Sequence, residues 1–313
     1  MDRRRYLGAL AAGMAALAGC PSPSDDGTDG TTTDRPPADT TNGTTTRTDS
    51  PTETTVGADR AFVSYDSTAY RDVFDYEEIR SRDQLTDDPA RNGTALEVPI
   101  PAGRHRGMRM RFWMDDQFGA EPEAASATYW LYVPEDFEFA DSHSGGGKLP
   151  GFQGTYGNCG AGDLGPCDGS DGWSARMSFI RPKAAYLDTD LGLAHYVYHG
   201  EMSGEALYPY GTYLRWNRGL SFGEWHRIDQ FVRMNTPGEH DGVLRGWVDG
   251  ELALDRDGML FRDEGYGNVR IQEFVNTVYF GGEWASPSDN AFYFDDLEIR
   301  TGTPTSSSLD EAT

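Results

Sequence analysis

The chain alternates apolar and polar residues in short segments separated by Gly, Pro, Asn and Asp. This period of two predicts β-strands, because successive side chains of a strand point to opposite faces. Helical periodicity is limited to one segment, Tyr70–Arg82. The predicted strands are Thr94–Ile100, Gly107–Met114, Ala127–Val133, Arg176–Ile180, Ala194–Tyr198, Trp225–Met234, Gly242–Val248, Thr277–Phe280 and Ala291–Arg300.

Many short strands with few short helices predict an all-β fold, a jelly-roll sandwich of the concanavalin-like type. Gly246-Trp247-Val248-Asp249-Gly250 is typical of a strand that enters a tight hairpin with Asp-Gly at its turn. Secreted sandwiches that bind or cleave glycans share this pattern. The fold alone does not separate an enzyme from a lectin-like module.

The N-terminus has the pattern of an export signal. Arg3-Arg4-Arg5 precedes an apolar run of about ten residues, which is too short to span a bilayer and fits a signal peptide. Leu17-Ala18-Gly19-Cys20 follows as a lipobox, so Cys20 is the predicted lipidation site. The alternative is an ordinary signal peptide that contains a cysteine. The twin-arginine start favours export of a folded lipoprotein to the outer face of the cytoplasmic membrane.

Composition divides the rest of the chain. Residues 21–58 are rich in Thr, Ser, Asp, Gly and Pro and are predicted to be a disordered tether between signal (1–20) and domain. Residues 59–303 form the predicted jelly-roll domain, and 304–313 form a polar tail. About 245 residues are enough for one domain with a sizeable core.

The net charge is −24, from 51 acidic and 27 basic residues. Carboxylates at this density suit a protein in very high salt, so with the export signal we predict a haloarchaeal-type surface protein. The alternative is an acidic extracellular domain without such specialisation. No basic patch is apparent, so nucleic acid is not an expected partner. We expect a monomer.

Cys159 and Cys167 are the cysteines left after Cys20. An even pair in an exported protein predicts a disulfide across a small loop. Zinc is the alternative, but it needs further ligands, and His143 and His195 are not at ligand spacing.

Candidate chemistry lies in three segments. Ser174 and Arg176 share one strand face, and Tyr196 and Tyr198 share another. Lys148 enters from what the sequence predicts to be a glycine-rich turn. His195 and His199 fall on the opposite face from the tyrosines, about 13 Å apart, too far to bind one metal ion. We expect these histidines at the surface or in a cleft.

If the strands are neighbours, one face carries a lysine, a serine, an arginine and two tyrosines. That set suits β-elimination of a polyuronate: a cation stabilises the charge that develops next to the carboxylate, a phenol takes the C5 proton and an acid protonates the leaving oxygen. Each piece also has a plain alternative, since tyrosines are common in sandwich cores. No redox cofactor is expected. A structural calcium ion at Asp295 and Asp296 is a weak expectation, because adjacent strand residues face opposite sides.

The ordered set of motifs resembles polysaccharide lyase family 14, which comprises alginate and polyglucuronate lyases with a β-jelly-roll fold. The resemblance covers roughly residues 94–300. It rests on Tyr129-Trp130-Leu131-Tyr132-Val133-Pro134, Gly146-Gly147-Lys148-Leu149-Pro150-Gly151, Cys159, Cys167, Ser174-Ala175-Arg176, Tyr196-Val197-Tyr198, Asn235-Thr236-Pro237-Gly238 and Phe294-Asp295-Asp296.

The resemblance implies a role for each candidate. Lys148 is the cleft lysine, Ser174 and Arg176 position and neutralise the uronate, and Tyr196 and Tyr198 are the catalytic pair. It suggests the same Cys159–Cys167 bridge. Two departures are visible: the stretch between Arg176 and Tyr196 is long, and Gly151-Phe152-Gln153-Gly154 stands where Gly-Leu-Tyr-Gly is expected.

The sequence therefore predicts a lyase that acts on an acidic polysaccharide. The alternative is a cell-surface glycan-binding protein that kept the jelly roll and lost the chemistry. A glycoside hydrolase would need a strand such as Glu-x-Asp-x-x-Glu, and no convincing case is present.

Overall fold

The computed structural model describes residues 51–78, 81–157, 159, 166–202 and 211–302. These residues form two antiparallel sheets. The strands, numbered in chain order, are β1 (Thr55–Val56), β2 (Arg60–Val63), β3 (Asp75–Tyr76), β4 (Gln84–Thr86), β5 (Ala95–Ile100), β6 (Arg106–Trp113), β7 (Ala124–Tyr132), β8 (Gly147–Thr155), β9 (Gly172–Ile180), β10 (Leu191–Tyr198), β11 (Thr212–Leu220), β12 (Trp225–Arg233), β13 (Gly242–Val248), β14 (Glu251–Met259), β15 (Glu273–Phe280) and β16 (Asn290–Thr301).

The helices of the described residues are short: a 3-10 helix at Thr68–Val73, α1 at Met114–Phe118 and α2 at Pro182–Ala185. Over these same residues, no helix has the length and apolar content needed to cross a membrane.

One sheet has the order β11-β10-β9-β8-β15-β6-β3. The other follows β1-β2-β16-β7-β12-β13-β14, and β5 pairs both with β16 and with β4. This is the all-β sandwich that the alternation predicts, so the predicted fold class is confirmed. Strands such as β7 and β13 alternate between buried and partly exposed residues, whereas β8 and β10 are buried along nearly their whole length.

Aromatic side chains from both sheets fill the core. Phe137 packs edge-on against Phe179 and Phe292, with ring centroids 5.7 and 5.1 Å away. Phe179 also contacts Phe280, at 5.2 Å. Edge-to-face pairs of this kind contribute beyond the area that they bury. The cluster fixes β9 and β15, the strands that flank β8.

The predicted strands are all present, with bounds shifted by a few residues. The helix predicted at Tyr70–Arg82 is wrong: the segment holds the end of the 3-10 helix and then β3, which pairs with β6. The short β1 pairs with β2, so the first strand of the sandwich lies inside the stretch predicted as tether. Cys20 and the polar tail lie outside the described residues.

Strand β8 corrects the largest misinterpretation of the sequence. The glycine-rich segment around Lys148 is a central strand between β9 and β15, where a turn was predicted. Its glycines are needed because neighbouring backbone is very close: a Cβ on Gly147 would lie 1.9 Å from the carbonyl oxygen of Tyr279, and one on Gly151 would lie 2.6 Å from that of Ala175. The pairing shifts register between Lys148 and Gly151, a bulge that accommodates Pro150.

The predicted Asp-Gly hairpin is present. Asp249 and Gly250 connect β13 to β14 with φ values of 53° and 79°, as a two-residue primed turn requires. The Asp249 carboxylate accepts hydrogen bonds from the backbone N–H of Arg227, at 2.8 Å, and contacts Nδ1 of His226, at 2.8 Å. The turn is thereby tied to β12.

Asp295 and Asp296 do not face opposite sides as a regular strand would place them. Asp296 has a φ of 48°, and a register shift interrupts the pairing of β16 with β7 at this point. As a result, both carboxylates contact Arg91: Asp295 accepts from its backbone N–H at 3.3 Å and Asp296 from its guanidinium at 2.7 Å. No cluster of three potential metal-ligating side chains occurs among the described residues, and calcium stays an untested expectation.

Replacing Gly147 with alanine tests the close approach in β8. We expect Gly147→Ala to lower the free energy of unfolding by about 3 kcal/mol, the upper end for overpacking, because backbone and not a movable side chain opposes the new methyl group. Gly281→Ala is the matched control, since its Cβ would meet nothing closer than 3.8 Å. Chemical denaturation of both variants measures the difference, and equal stability would contradict the packing described.

Candidate active site

The outer face of the seven-stranded sheet gathers the five candidate residues. In the pairing of β9 with β10, Arg176 lies opposite Tyr196 and Ser174 opposite Tyr198. In the pairing of β8 with β9, Lys148 lies opposite Ser178. The two strands that carry the serine, the arginine and the tyrosines are therefore neighbours, β9 and β10. Lys148 lies beside them on a third strand, β8.

Lys148 is the most constrained of these residues. It is only 8% exposed, its Nζ donates to Ser178 Oγ at 3.0 Å and lies 3.4 Å from the centroid of the Tyr196 ring. Among the described residues no carboxylate pairs with it. Burial, together with the nearby Arg176 guanidinium, holds the pKa of the Lys148 ammonium well below its usual range.

The two tyrosines differ in acidity. Their rings meet edge-on with centroids 5.5 Å apart. Burial raises the pKa of both phenols, but a hydrogen bond from Tyr196 and the positive charge of Arg176 oppose this rise at Tyr198. At Tyr196 the neighbouring Tyr198 adds to the rise. These opposing causes make the Tyr198 phenol easier to ionise than the Tyr196 phenol.

Two polar groups beside the tyrosines are buried and lack a hydrogen-bond partner within the part of the chain that the structure describes. Among the described residues, neither Ser174 Oγ nor Arg176 Nε has a hydrogen-bond partner. A buried donor left unpaired costs on the order of 1–3 kcal/mol. Both groups lie on the strand opposite the tyrosines, where an anionic ligand can accept from them.

A disulfide joins Cys159 to Cys167, as the sequence predicts. The bridge packs against Tyr196 and Tyr198, together with Met202. Because both sulfurs bond to each other, the zinc alternative does not apply to this pair.

Of the two histidines expected in a cleft or at the surface, His195 is buried in the core, whereas His199 is partly exposed. His195 is 1% exposed and faces the core, where Trp216 Nε1 donates to its Nδ1 at 2.9 Å. Burial lowers the pKa of His195 to about 3, so it is neutral near pH 7. His199 is partly buried and contacts Thr212 through Nε2 at 3.1 Å.

Two further residues of the cleft, Tyr213 and Tyr279, were not predicted from the sequence. Tyr213 of β11 lies opposite Tyr196, with ring centroids 4.7 Å apart. Tyr279 of β15 lies opposite Lys148. The alternation in Thr212–Leu220 could have revealed Tyr213, whereas the position of Tyr279 depends on a register shift in β15 that no local pattern shows.

The departure at Gln153 also lies on this face. Its side-chain amide donates to the buried Glu273 at 2.8 Å, and Arg111 donates to the same carboxylate through two nitrogens, at 2.6 and 2.7 Å. Glu273 is thus neutralised by its neighbours. Phe152, the other changed residue, faces inward and packs on Phe274.

The arrangement places positive charge next to two phenols on one sheet face. Lys148 and Arg176 provide positive charge, Ser174 provides a neutral donor, and the two phenols differ in their tendency to ionise. Fold and site together define a jelly-roll protein whose sheet face presents cations beside a pair of tyrosines.

The comparison with protein families agrees. Residues 89–297, well over half of the chain, match the family described as polysaccharide lyase 14, and the chain belongs to that family. The protein is therefore a polysaccharide lyase, as predicted, and family membership favours this interpretation over a non-catalytic glycan-binding protein. A search among curated proteins found no significant match.

Solved structures with the same fold include the following lyases. The PL-14 alginate lyase from Aplysia kurodai is 20% identical, with a TM-score of 0.60 over 77% of this chain and 98% of its own. The alginate lyase from Chlorella virus is 18% identical, with a TM-score of 0.55 over 71% and 90%. The endo-beta-1,4-glucuronan lyase from Trichoderma reesei is 12% identical, with a TM-score of 0.51 over 77% and 94%. At these identities the likeness concerns the fold.

Proposed function

We propose that the protein cleaves a uronic-acid polysaccharide of the alginate or polyglucuronate type by β-elimination. The observation that carries the proposal is the cleft itself, which places Lys148 and Arg176 beside two hydrogen-bonded tyrosines, and no carboxylate of the described residues pairs with either cation. The names of the structural relatives support the same substrate class, since they are alginate and glucuronan lyases.

In the proposed binding step, Arg176 and Lys148 take the carboxylate at C5 of one sugar, with Ser174 as a further donor. Their charge withdraws electron density and makes the C5 proton more acidic. It also stabilises the negative charge that develops on the carboxylate as the C–H bond breaks. Positive charge that is fixed before the substrate arrives needs no reorganisation during the reaction.

In the proposed chemical step, the Tyr198 phenolate takes the C5 proton. The electrons of the C5–H bond form a double bond between C4 and C5, and the bond between C4 and the glycosidic oxygen breaks. The Tyr196 hydroxyl gives its proton to that oxygen. Proton transfer from Tyr198 back to Tyr196 along their hydrogen bond then restores the starting state, so atoms and charge balance without a redox cofactor.

We further propose that the protein is exported and held at the cell surface by lipid on Cys20. The support is the twin-arginine start and the lipobox, with the Thr- and Asp-rich stretch as tether. A net charge of −24 supports a haloarchaeal-type, high-salt setting. There a polyanion approaches an acidic protein readily, because at about 1 M salt the Debye length is about 3 Å.

Removing one hydroxyl tests the chemistry. We expect Tyr198→Phe to lower kcat by about 10²- to 10⁴-fold, the usual contribution of a general base. The measurement is the ultraviolet absorbance of the unsaturated sugar formed from alginate or polyglucuronate in high salt. Tyr293→Phe on the other sheet is the matched control and should keep wild-type activity. A Tyr198→Phe variant as fast as wild type would eliminate Tyr198 as the base.

The pH dependence tests Lys148. Because its pKa is lowered, the lysine loses its charge on raising the pH before it reaches its ordinary value of 10.5, and it then no longer attracts the uronate carboxylate. We expect kcat/KM to fall as the pH rises, and we expect this fall to begin at a pH lower than 10.5. Lys148→Arg keeps the charge and should remove this fall, although the misfit guanidinium lowers the rate. An unchanged profile in the variant would assign the fall to another group.

The position of the tyrosines predicts a substrate preference. Both phenols approach from the same sheet face, so proton removal and leaving-group protonation occur on one side of the sugar. In mannuronate and glucuronate units the C5 hydrogen and the C4 oxygen lie on the same side, and in guluronate on opposite sides. We expect polymannuronate and polyglucuronate to be cleaved at least about tenfold faster than polyguluronate, a difference of about 1.4 kcal/mol in the barrier. The initial rates of the absorbance rise decide this.

A further inference from the structure

The cleft face carries positive charge beyond the reacting residues, and most of it is already neutralised. On β6, Arg109 pairs with Glu77 at 2.6 Å and Arg111 with Glu273 at 2.6 Å. Arg106 differs from both. It is exposed, and no carboxylate of the described residues lies within ion-pair distance of it. In a chain with 51 acidic residues, such an arginine beside a polyanion cleft is a candidate ligand-binding group.

Strand register connects Arg106 to the candidate active site. Tyr279 of β15 lies opposite Lys148 on one side and opposite Arg106 on the other. A register shift between Val278 and Tyr279 creates the second pairing. Lys148, Tyr279 and Arg106 therefore form one row across three adjacent strands. The row spans two strand spacings, about 9.6 Å between the backbones of Lys148 and Arg106.

Tyr279 faces the cleft. Its inward neighbours Val278 and Phe280 pack in the core, whereas Tyr279 is half-buried on the other side. The guanidinium carbon of Arg106 lies 5.2 Å from the centroid of the Tyr279 ring. The stacked ring orients the guanidinium without neutralising it, so its donors stay available to a carboxylate.

We propose that Arg106, supported by Tyr279, forms a second carboxylate-binding subsite that holds a uronate unit outside the pair of sugars being separated. This inference rests on the proposed lyase function. A chain held by Lys148 and Arg176 at one unit and by Arg106 at another crosses the strands along the row. The subsite binds a polyuronate more strongly than a short oligomer, because only the longer chain reaches both cations.

The test compares substrates of different length. We expect Arg106→Gln to raise KM for polymeric alginate or polyglucuronate about fivefold, the upper end for an exposed ion pair, with kcat unchanged. A disaccharide fills only the two positions at the cleaved bond and leaves no unit for Arg106, so its KM should equal that of the wild type. Arg106→Lys should retain part of the effect. Arg245→Gln, on β13 of the other sheet, makes the same charge change and should leave KM unchanged at every length.

The outcomes separate this inference from the function on which it rests. If the wild type is active and Arg106→Gln has the same KM on every substrate, the proposed subsite is wrong, but the proposed lyase function is unaffected. An equal rise in KM for short and long chains would also overturn it. If the wild type forms no unsaturated product, the proposed function fails, and calorimetric titration of wild type and Arg106→Gln with polyuronate then decides the subsite: equal affinity overturns it, and weaker binding by the variant supports it.

Discussion

The ammonium of Lys148 is the group around which the cleft is organised. It is buried against the Tyr196 ring and held by Ser178 Oγ, with no carboxylate partner among the described residues and the Arg176 guanidinium nearby. Burying a charge without a counterion is costly, and protein interiors ordinarily avoid it. Here burial and the neighbouring guanidinium both disfavour the charged form of the amine, which lowers the pKa of Lys148. A bound carboxylate acts in the opposite direction, because it stabilises the ammonium, and the site therefore attracts an anion.

This arrangement depends on backbone that only glycine permits. Strand β8 lies so close to β9 and β15 that Gly147 and Gly151 leave no room for a Cβ. The bulge between them displaces Lys148 relative to regular pairing and brings its Nζ over Tyr196, two strands away. The disulfide packs on the same tyrosines from another side. Site and fold are thus coupled, because the residues that hold β8 in the sheet also set the position of its lysine.

The sequence predicted most strands and the faces of four candidate residues, and the predictions that were wrong have physical causes. Alternation identified β9 and β10 and placed Ser174, Arg176, Tyr196 and Tyr198 on their correct faces, since period two is a local property. Strand β8 was missed because glycine and proline oppose strand formation locally, and only close packing by both neighbours explains them. The expectation for Asp295 and Asp296 failed for a similar reason: a left-handed residue within the strand turned both toward Arg91.

The His195 prediction erred on burial, which a five-residue pattern cannot supply. His195 was placed on the correct face of the strand, but that face turned out to be the buried one. Trp216 from β11 donates a hydrogen bond there to the neutral imidazole.

The net charge of the sequence likewise could not show where an anionic substrate binds. The chain is strongly acidic overall, but the electrostatic potential in the cleft depends on the cations that have no carboxylate partner among the described residues. Glu273 and Glu77 neutralise two arginines of β6, whereas none of the described carboxylates reaches Arg106. The local field along the row from Lys148 is therefore positive, although the protein as a whole repels anions.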